Sequence, residues 1–224
     1  MQIWQGLEAG KGAEDVSLTI HLPTTKSITT PAVVICPGGG YGTCVMSYEG
    51  NEVGKWFSKR GFAAFVLKYR VSPHRHPLPK NDVQQAIKYV RKNCKKFKVN
   101  PENLGVMGFS AGGHLAATAG TQFTSPLDRP NFMILAYPVI SMRKGITHVG
   151  SRINLLGSNP NQELVDAMSL ETQVDSRTPA TFIFHTNEDS VVPAENALAF
   201  VSSLRKNKVP CEFHLFQKGK HGVG

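Results

Sequence analysis

The sequence predicts an α/β fold, a mostly parallel open sheet with helices on both faces, and three observations carry that prediction. Apolar runs of strand length alternate along the chain with amphipathic stretches of helical length. At least one run, 32–36, is continuously apolar, as expected of a strand covered on both sides. Gly-rich turns follow two of the strands, where a chain leaving a parallel sheet has to change direction sharply.

Taken in order, Val16 to Leu22 alternates and reads as a half-buried strand; a Pro/Thr/Ser turn region then leads into the strand Ala32 to Cys36. Asn51 to Arg60 has helical character and stops at Gly61, and Phe62 to Tyr69 is the next buried strand. Pro73 to Pro79 holds three prolines and reads as a loop. Asp82 to Phe97 is expected to be a helix, with apolar residues at 87, 90, 94 and 97 facing the core. A strand at 103–109, a small-residue helix at 111–122 and a strand at 132–137 follow. The polar segment 141–178 carries only short helical pieces and is too long for an ordinary connection, so it is expected to cap the site as an insertion. A strand at 180–185, a helix at 194–206 and a strand at 211–216 complete a single expected domain spanning 1–224.

Composition narrows the function classes. With 224 residues, 41% hydrophobic and 18% charged, the chain has material for one sizeable core. No apolar run approaches the roughly 20 residues that cross a bilayer, and Met1-Gln2-Ile3-Trp4-Gln5 has neither the basic nor the apolar region of an export signal. Cys36, Cys44, Cys94 and Cys211 are too scattered for a disulfide framework and form no C-x-x-C pair, so they read as free thiols, with no metal site. The net charge of +9 has one dense patch, Lys88 to Lys98, which reads as the solvated face of a helix rather than as a nucleic-acid surface.

The chemistry concentrates at Gly108-Phe109-Ser110-Ala111-Gly112. A G-x-S-x-G run between a strand and a helix is the context of a nucleophile elbow, which narrows the fold class to the α/β-hydrolase fold. Ser110 would stand in a strained backbone at a helix N-terminus, where unpaired amides favour developing negative charge. A serine needs a base and an orienting acid, in the chain order Ser, acid, His. His221, in the loop after the last strand, is the expected base, with His185 its nearest rival; Asp189 is the expected acid, with Glu188 beside it as the alternative. The oxyanion hole is assigned to the amides of Ala111, Gly39 and Gly40, the last two in the loop Cys36-Pro37-Gly38-Gly39-Gly40-Tyr41-Gly42, with Tyr41 expected beside the acyl pocket as a substrate-binding residue. That loop lacks the Gly-Lys-Ser/Thr of a phosphate cradle. His114 is expected to pack on the sheet, and His148 falls far from any strand end of the right order.

Pro37-Gly38-Gly39-Gly40-Tyr41, Gly108 to His114, Phe184-His185-Thr186 with Asp189, and Lys218-Gly219-Lys220-His221-Gly222 together resemble the bacterial α/β-hydrolase esterases grouped with acetyl xylan esterases and bifunctional acetyl and feruloyl carbohydrate esterases. The resemblance extends through Glu49-Gly50, Lys68-Tyr69-Arg70, Tyr137-Pro138-Val139-Ile140-Ser141 and Leu155-Leu156-Gly157. It implies a serine esterase that removes small acyl groups, chiefly acetyl, from xylan or xylo-oligosaccharides, without cofactor; members of such families are often exported, so a secreted or periplasmic location is one expectation and a cytoplasmic one the other. The partner it implies is an acylated carbohydrate or polysaccharide, with no nucleic acid and no membrane. A general short-chain carboxylesterase or peptidase-like hydrolase is the alternative, and a non-catalytic binding protein on the same fold a remoter one. Two departures stand out. Pro37 replaces the histidine of the related His-Gly-Gly-Gly loop, so the loop must be supported from elsewhere; and the sequence stops at Gly224 where such folds continue into a helix, so a shortened end or another covering element is expected.

Overall fold

The computed structural model describes residues 1–4, 11–25 and 29–223. Its strands, β1 (Ser17–His21), β2 (Thr30–Cys36), β3 (Ala63–Lys68), β4 (Val99–Phe109), β5 (Phe132–Ala136), β6 (Ala180–Thr186) and β7 (Cys211–Phe216), form a seven-stranded sheet in the order β1-β3-β2-β4-β5-β6-β7. β1 runs antiparallel to β3 and every other pairing is parallel, which matches the predicted sheet. The turn region expected between β1 and β2 falls partly outside the described residues.

The helices are α1 (Glu52–Ser58), α2 (Leu78–Lys92), α3 (Cys94–Phe97), α4 (Ala111–Thr121), α5 (Val149–Leu156), α6 (Gln162–Ala167) and α7 (Glu195–Lys206). One face of the sheet carries the larger core, in which Val34, Val106 and Leu135 meet Ile87 and Val90 of α2, Leu115 of α4 and Phe200 of α7. The other face buries Val33, Ile35, Val66 and Phe109 with Phe57 of α1. Toward β6 and β7 that second face thins out, and Phe182 and Phe216 stay exposed. Both faces therefore carry helices, but unequally.

Three boundaries differ from the sequence reading. α2 starts at Leu78 rather than Asp82, because Pro79 sits within its first turn, where a missing N–H costs nothing. The expected single helix to Phe97 breaks at Asn93, whose side chain donates to Tyr89 O, and resumes as α3. β4 likewise begins four residues early, with a register shift opposite Thr30 and Ala32. The apolar stripe survives the break, since Ile87, Val90 and Phe97 are all buried. All four cysteines are free thiols, and among the described residues no helix is long and apolar enough to cross a membrane.

Asp82 explains why α2 lies where it does. Its carboxylate accepts from Arg70 N at 2.9 Å, from the Arg70 guanidinium at 2.6 Å and from Trp4 Nε1 at 2.8 Å, tying the end of β3, the N-terminus and α2 together without solvent. His114, on α4, is equally enclosed: Tyr41 Oη lies 2.8 Å from Nδ1 and Met168 O accepts from Nε2 at 2.9 Å. Burial pushes His114 down to about 4.

Asp82→Ala removes the carboxylate that pairs with the buried Arg70 charge, and is expected to lower the unfolding free energy by about 3–5 kcal/mol. Urea denaturation reads this as a lower midpoint at unchanged slope, and a loss under about 1 kcal/mol would contradict it. A second expectation concerns acid. Between about pH 6.5 and 4 the unfolded chain takes up a proton that folded His114 refuses, so stability falls as pH drops through that window, by up to about 1.4 kcal/mol per pH unit for each such group. His114→Gln should flatten the measured slope by up to one proton; an unchanged slope would refute the assignment.

Candidate active site

β4 delivers Phe109 to the top of the sheet, and α4 begins at Ala111, so a single residue turns the chain from strand to helix. That residue is Ser110, at φ 53° and ψ −119°, a conformation that non-glycine residues rarely adopt. Its amide donates to Ala136 O at 3.0 Å, and its carbonyl accepts from His114 N and Val139 N, so both neighbouring elements hold the strain in place. The turn is tight enough that a Cβ on Gly108 would meet the backbone of Gly112, and one on Gly112 would meet the carbonyls of Cys36 and Pro37.

The three residues expected to cooperate come together across more than a hundred positions of sequence. Ser110 Oγ lies 2.9 Å from His221 Nε2, and His221 Nδ1 lies 2.6 Å from Asp189 Oδ2. The other carboxylate oxygen, Oδ1, accepts from the amides of Val191 and Val192, both at 2.9 Å. Burial on its own raises the Asp189 carboxyl, but the bond from His221 and those two amides outweigh it and hold the group below the ordinary carboxylate range. Tyr137 packs edge-on against the His221 ring at 5.0 Å.

His185, the rival base, does not meet Ser110. Its Nε2 lies 2.9 Å from Val192 O and 3.3 Å from Asp189 Oδ2, so it braces the loop that carries the acid, while its Nδ1 is buried with no hydrogen-bond partner among the described residues. Glu188, the rival acid, is exposed.

The carbonyls of the loop after β2 are taken up within the protein. Pro37 O accepts from Tyr69 Oη at 2.7 Å, Gly38 O from Val45 N, Gly39 O from Gly42 N and Thr43 N, and Gly40 O from Asn154 Nδ2 at 2.9 Å. Gly39 and Gly40 hold φ of 127° and 63°, which a side chain would resist, and among the described residues nothing accepts from their amides. The support that Pro37 cannot give comes from Glu49, buried at the start of the helical turn before α1. Its Oε2 accepts from Gly38 N and its Oε1 from Tyr137 Oη, both at 2.8 Å. Sequence reasoning assigned Glu49 no role.

Tyr41 departs from the expectation. Its ring is buried and its hydroxyl is engaged with His114, so it props the loop from beneath and does not line the cleft above Ser110. His148 departs in the other direction. Far from any strand end in sequence, it lines that cleft of about 400 Å³ together with Gly39, Gly40, Tyr48, Ser110 and His221. Burial, and then the nearby His221, keep His148 below the usual histidine range. Among the described residues no group of three or more His, Cys, Asp or Glu is arranged to hold a metal ion.

The family model BD-FAE matches residues 18–204. An endo-1,4-beta-xylanase B of Butyrivibrio fibrisolvens is 39% identical over 85% of this chain and 32% of its own length. An acetylxylan esterase of Xylanibacter ruminicola is 38% identical over 86% of this chain and 41% of its own. The chain thus spans well under half the length of these two curated relatives. Among solved structures, an acetyl ester-xyloside bifunctional hydrolase from Caldicellulosiruptor lactoaceticus superposes with a TM-score of 0.88 at 42% identity, covering 92% of this chain and 79% of that one. The chain belongs to the BD-FAE family and has the α/β-hydrolase fold.

Proposed function

We propose that the chain hydrolyses carboxylic esters through a covalent acyl-enzyme on Ser110 and that its substrates are acetylated xylan or xylo-oligosaccharides. The observation that carries the chemistry is the relay of two hydrogen bonds, Ser110 to His221 and His221 to Asp189, beside the Gly39 and Gly40 amides, from which nothing accepts among the described residues.

In the first half-reaction Ser110 Oγ attacks the ester carbonyl carbon while its proton passes to His221 Nε2. Asp189 fixes the tautomer that leaves Nε2 free to accept, and stabilises the imidazolium that forms. The carbonyl oxygen becomes an oxyanion held by the amides of Ala111, Gly39 and Gly40, groups fixed before the reaction begins. Collapse of the intermediate breaks the bond to the alcohol, which leaves with the proton from His221. Water then attacks the acyl-Ser110 ester by the same route in reverse roles, releasing the acid. The segment 141–178 contributes His148 to the cleft and pins the Gly40 carbonyl through Asn154, in keeping with a cap over part of the cleft. Acetylated xylose polymers are favoured as substrate by kinship with the acetylxylan esterase and the acetyl ester-xyloside hydrolase.

A fluorophosphonate is expected to label the chain once, with labelling abolished in Ser110→Ala; an unlabelled wild type overturns the mechanism. A panel of acetylated xylan beside aryl esters of increasing acyl length tests the substrate separately. Acetate release from xylan should accompany turnover of acetyl esters, with butyryl esters at least tenfold slower. Good butyrate turnover with negligible release from xylan would favour a general short-chain esterase.

A further inference from the structure

We propose that His148 and Tyr48 form a sugar-binding subsite in the Ser110 cleft, His148 donating a hydrogen bond from Nε2 to a hydroxyl or ring oxygen and Tyr48 offering its ring face to a pyranose. The proposal rests on the carbohydrate ester reading above and names the two side chains that would make the cleft select for it.

The tautomer of His148 is fixed by its neighbour. Ser151 N, which can only donate, points at His148 Nδ1 at 3.3 Å, and Ser151 Oγ lies 2.8 Å from the same nitrogen. Nδ1 is therefore the unprotonated nitrogen, and the ring proton sits on Nε2. Among the described residues nothing accepts from Nε2. The ring lies against the loop in which, among the described residues, nothing accepts from the Gly39 and Gly40 amides: a Cβ built on Gly40 would stand 3.6 Å from His148 Cε1. Its depressed affinity for a proton keeps it neutral near pH 7, so it offers one directed N–H rather than a charge. The orientation is rigid because the same Nδ1 caps the N-terminus of α5 and α5 is pinned to the loop through Asn154.

Tyr48 supplies the second element. It lines the same cleft yet is 46% exposed, and no hydrogen bond or ring contact engages it among the described residues. An aromatic ring left bare at the mouth of a polar cleft suits a ligand with both C–H faces and hydroxyls. The electron-rich face attracts the C–H groups of a sugar, and the neutral donor reads its oxygens. A simple alkyl ester uses neither feature.

The test compares acetylated xylotriose with ethyl acetate, which carries the same acyl group and no ring. Tyr48→Ala and His148→Asn, the latter retaining an acceptor that caps α5, are each expected to lower the ratio of kcat/KM for xylotriose over ethyl acetate about tenfold, through KM. Tyr48→Phe, which keeps the ring face, should restore the ratio. Variants that damage only the fold would depress both substrates together and leave the ratio unchanged, which overturns the subsite. A wild type that releases acetate from xylotriose while the variants keep its ratio likewise overturns the subsite alone. A wild type active on ethyl acetate but inert on xylotriose overturns the substrate reading along with it.

Discussion

Between Phe109 and Ala111 the chain reverses from strand to helix within one residue, and much of the site's geometry follows from that constraint. A residue at φ 53° survives only where its surroundings hold it. Here the holding groups are Ala136 O from β5 and Val139 N beyond it, together with His114 N of α4, so the strain at Ser110 is anchored to the neighbouring strand as well as to the helix it opens. The small residues at 108 and 112 let β4, α4 and the loop after β2 approach to backbone contact. That approach brings the amides of Gly39 and Gly40 beside Ser110 in the first place. Sheet register, elbow strain and loop position are thus one interlocked feature.

The loop after β2 illustrates how a missing residue type is compensated. Pro37 has no side-chain hydrogen bond to offer, so the carbonyls of residues 37 to 40 are taken up by Tyr69, Val45, Gly42 with Thr43, and Asn154, while Glu49 takes the Gly38 amide. Glu49 also accepts from Tyr137, which packs on the His221 ring. One buried carboxylate therefore joins the loop beside the nucleophile to the ring beside the expected base.

Much of the fold was legible because its signals are local. A continuous apolar run, a 3.6-residue stripe or a Gly-flanked serine between strand and helix is determined by neighbours in sequence, and these located every strand among the described residues and singled out Ser110. Asp189 and His221, chosen by chain order and loop position, lie within hydrogen-bond reach of one another, and His221 within reach of Ser110, in the order expected. The misses are of a different kind. Pro79 read as a loop residue, although a first helical turn accepts it freely. Tyr41 follows two glycines of positive φ and itself stands at φ 56°, so which way its ring points is decided by the backbone path and by His114, 73 residues away. Glu49 and His148 acquire their neighbours only through tertiary packing, and nothing in their spacing marks either one.

Four histidines lie in or beneath this region, and residue type alone does not separate them; the partners of their ring nitrogens do. His114 has both nitrogens occupied inside the protein, by Tyr41 and Met168, and so is structural. His185 spends Nε2 on the acid loop and buries Nδ1 with no hydrogen-bond partner among the described residues, which bars it from solvent chemistry. His221 bridges a hydroxyl and a carboxylate, one nitrogen to each, the arrangement that permits a proton to be taken and returned. His148 has one nitrogen fixed by Ser151 and the other left to the cleft, the arrangement that permits a donor to be aimed at a ligand but no proton relay to be completed. The same side chain thus serves as strut, brace, base or donor according to which nitrogens the fold leaves available.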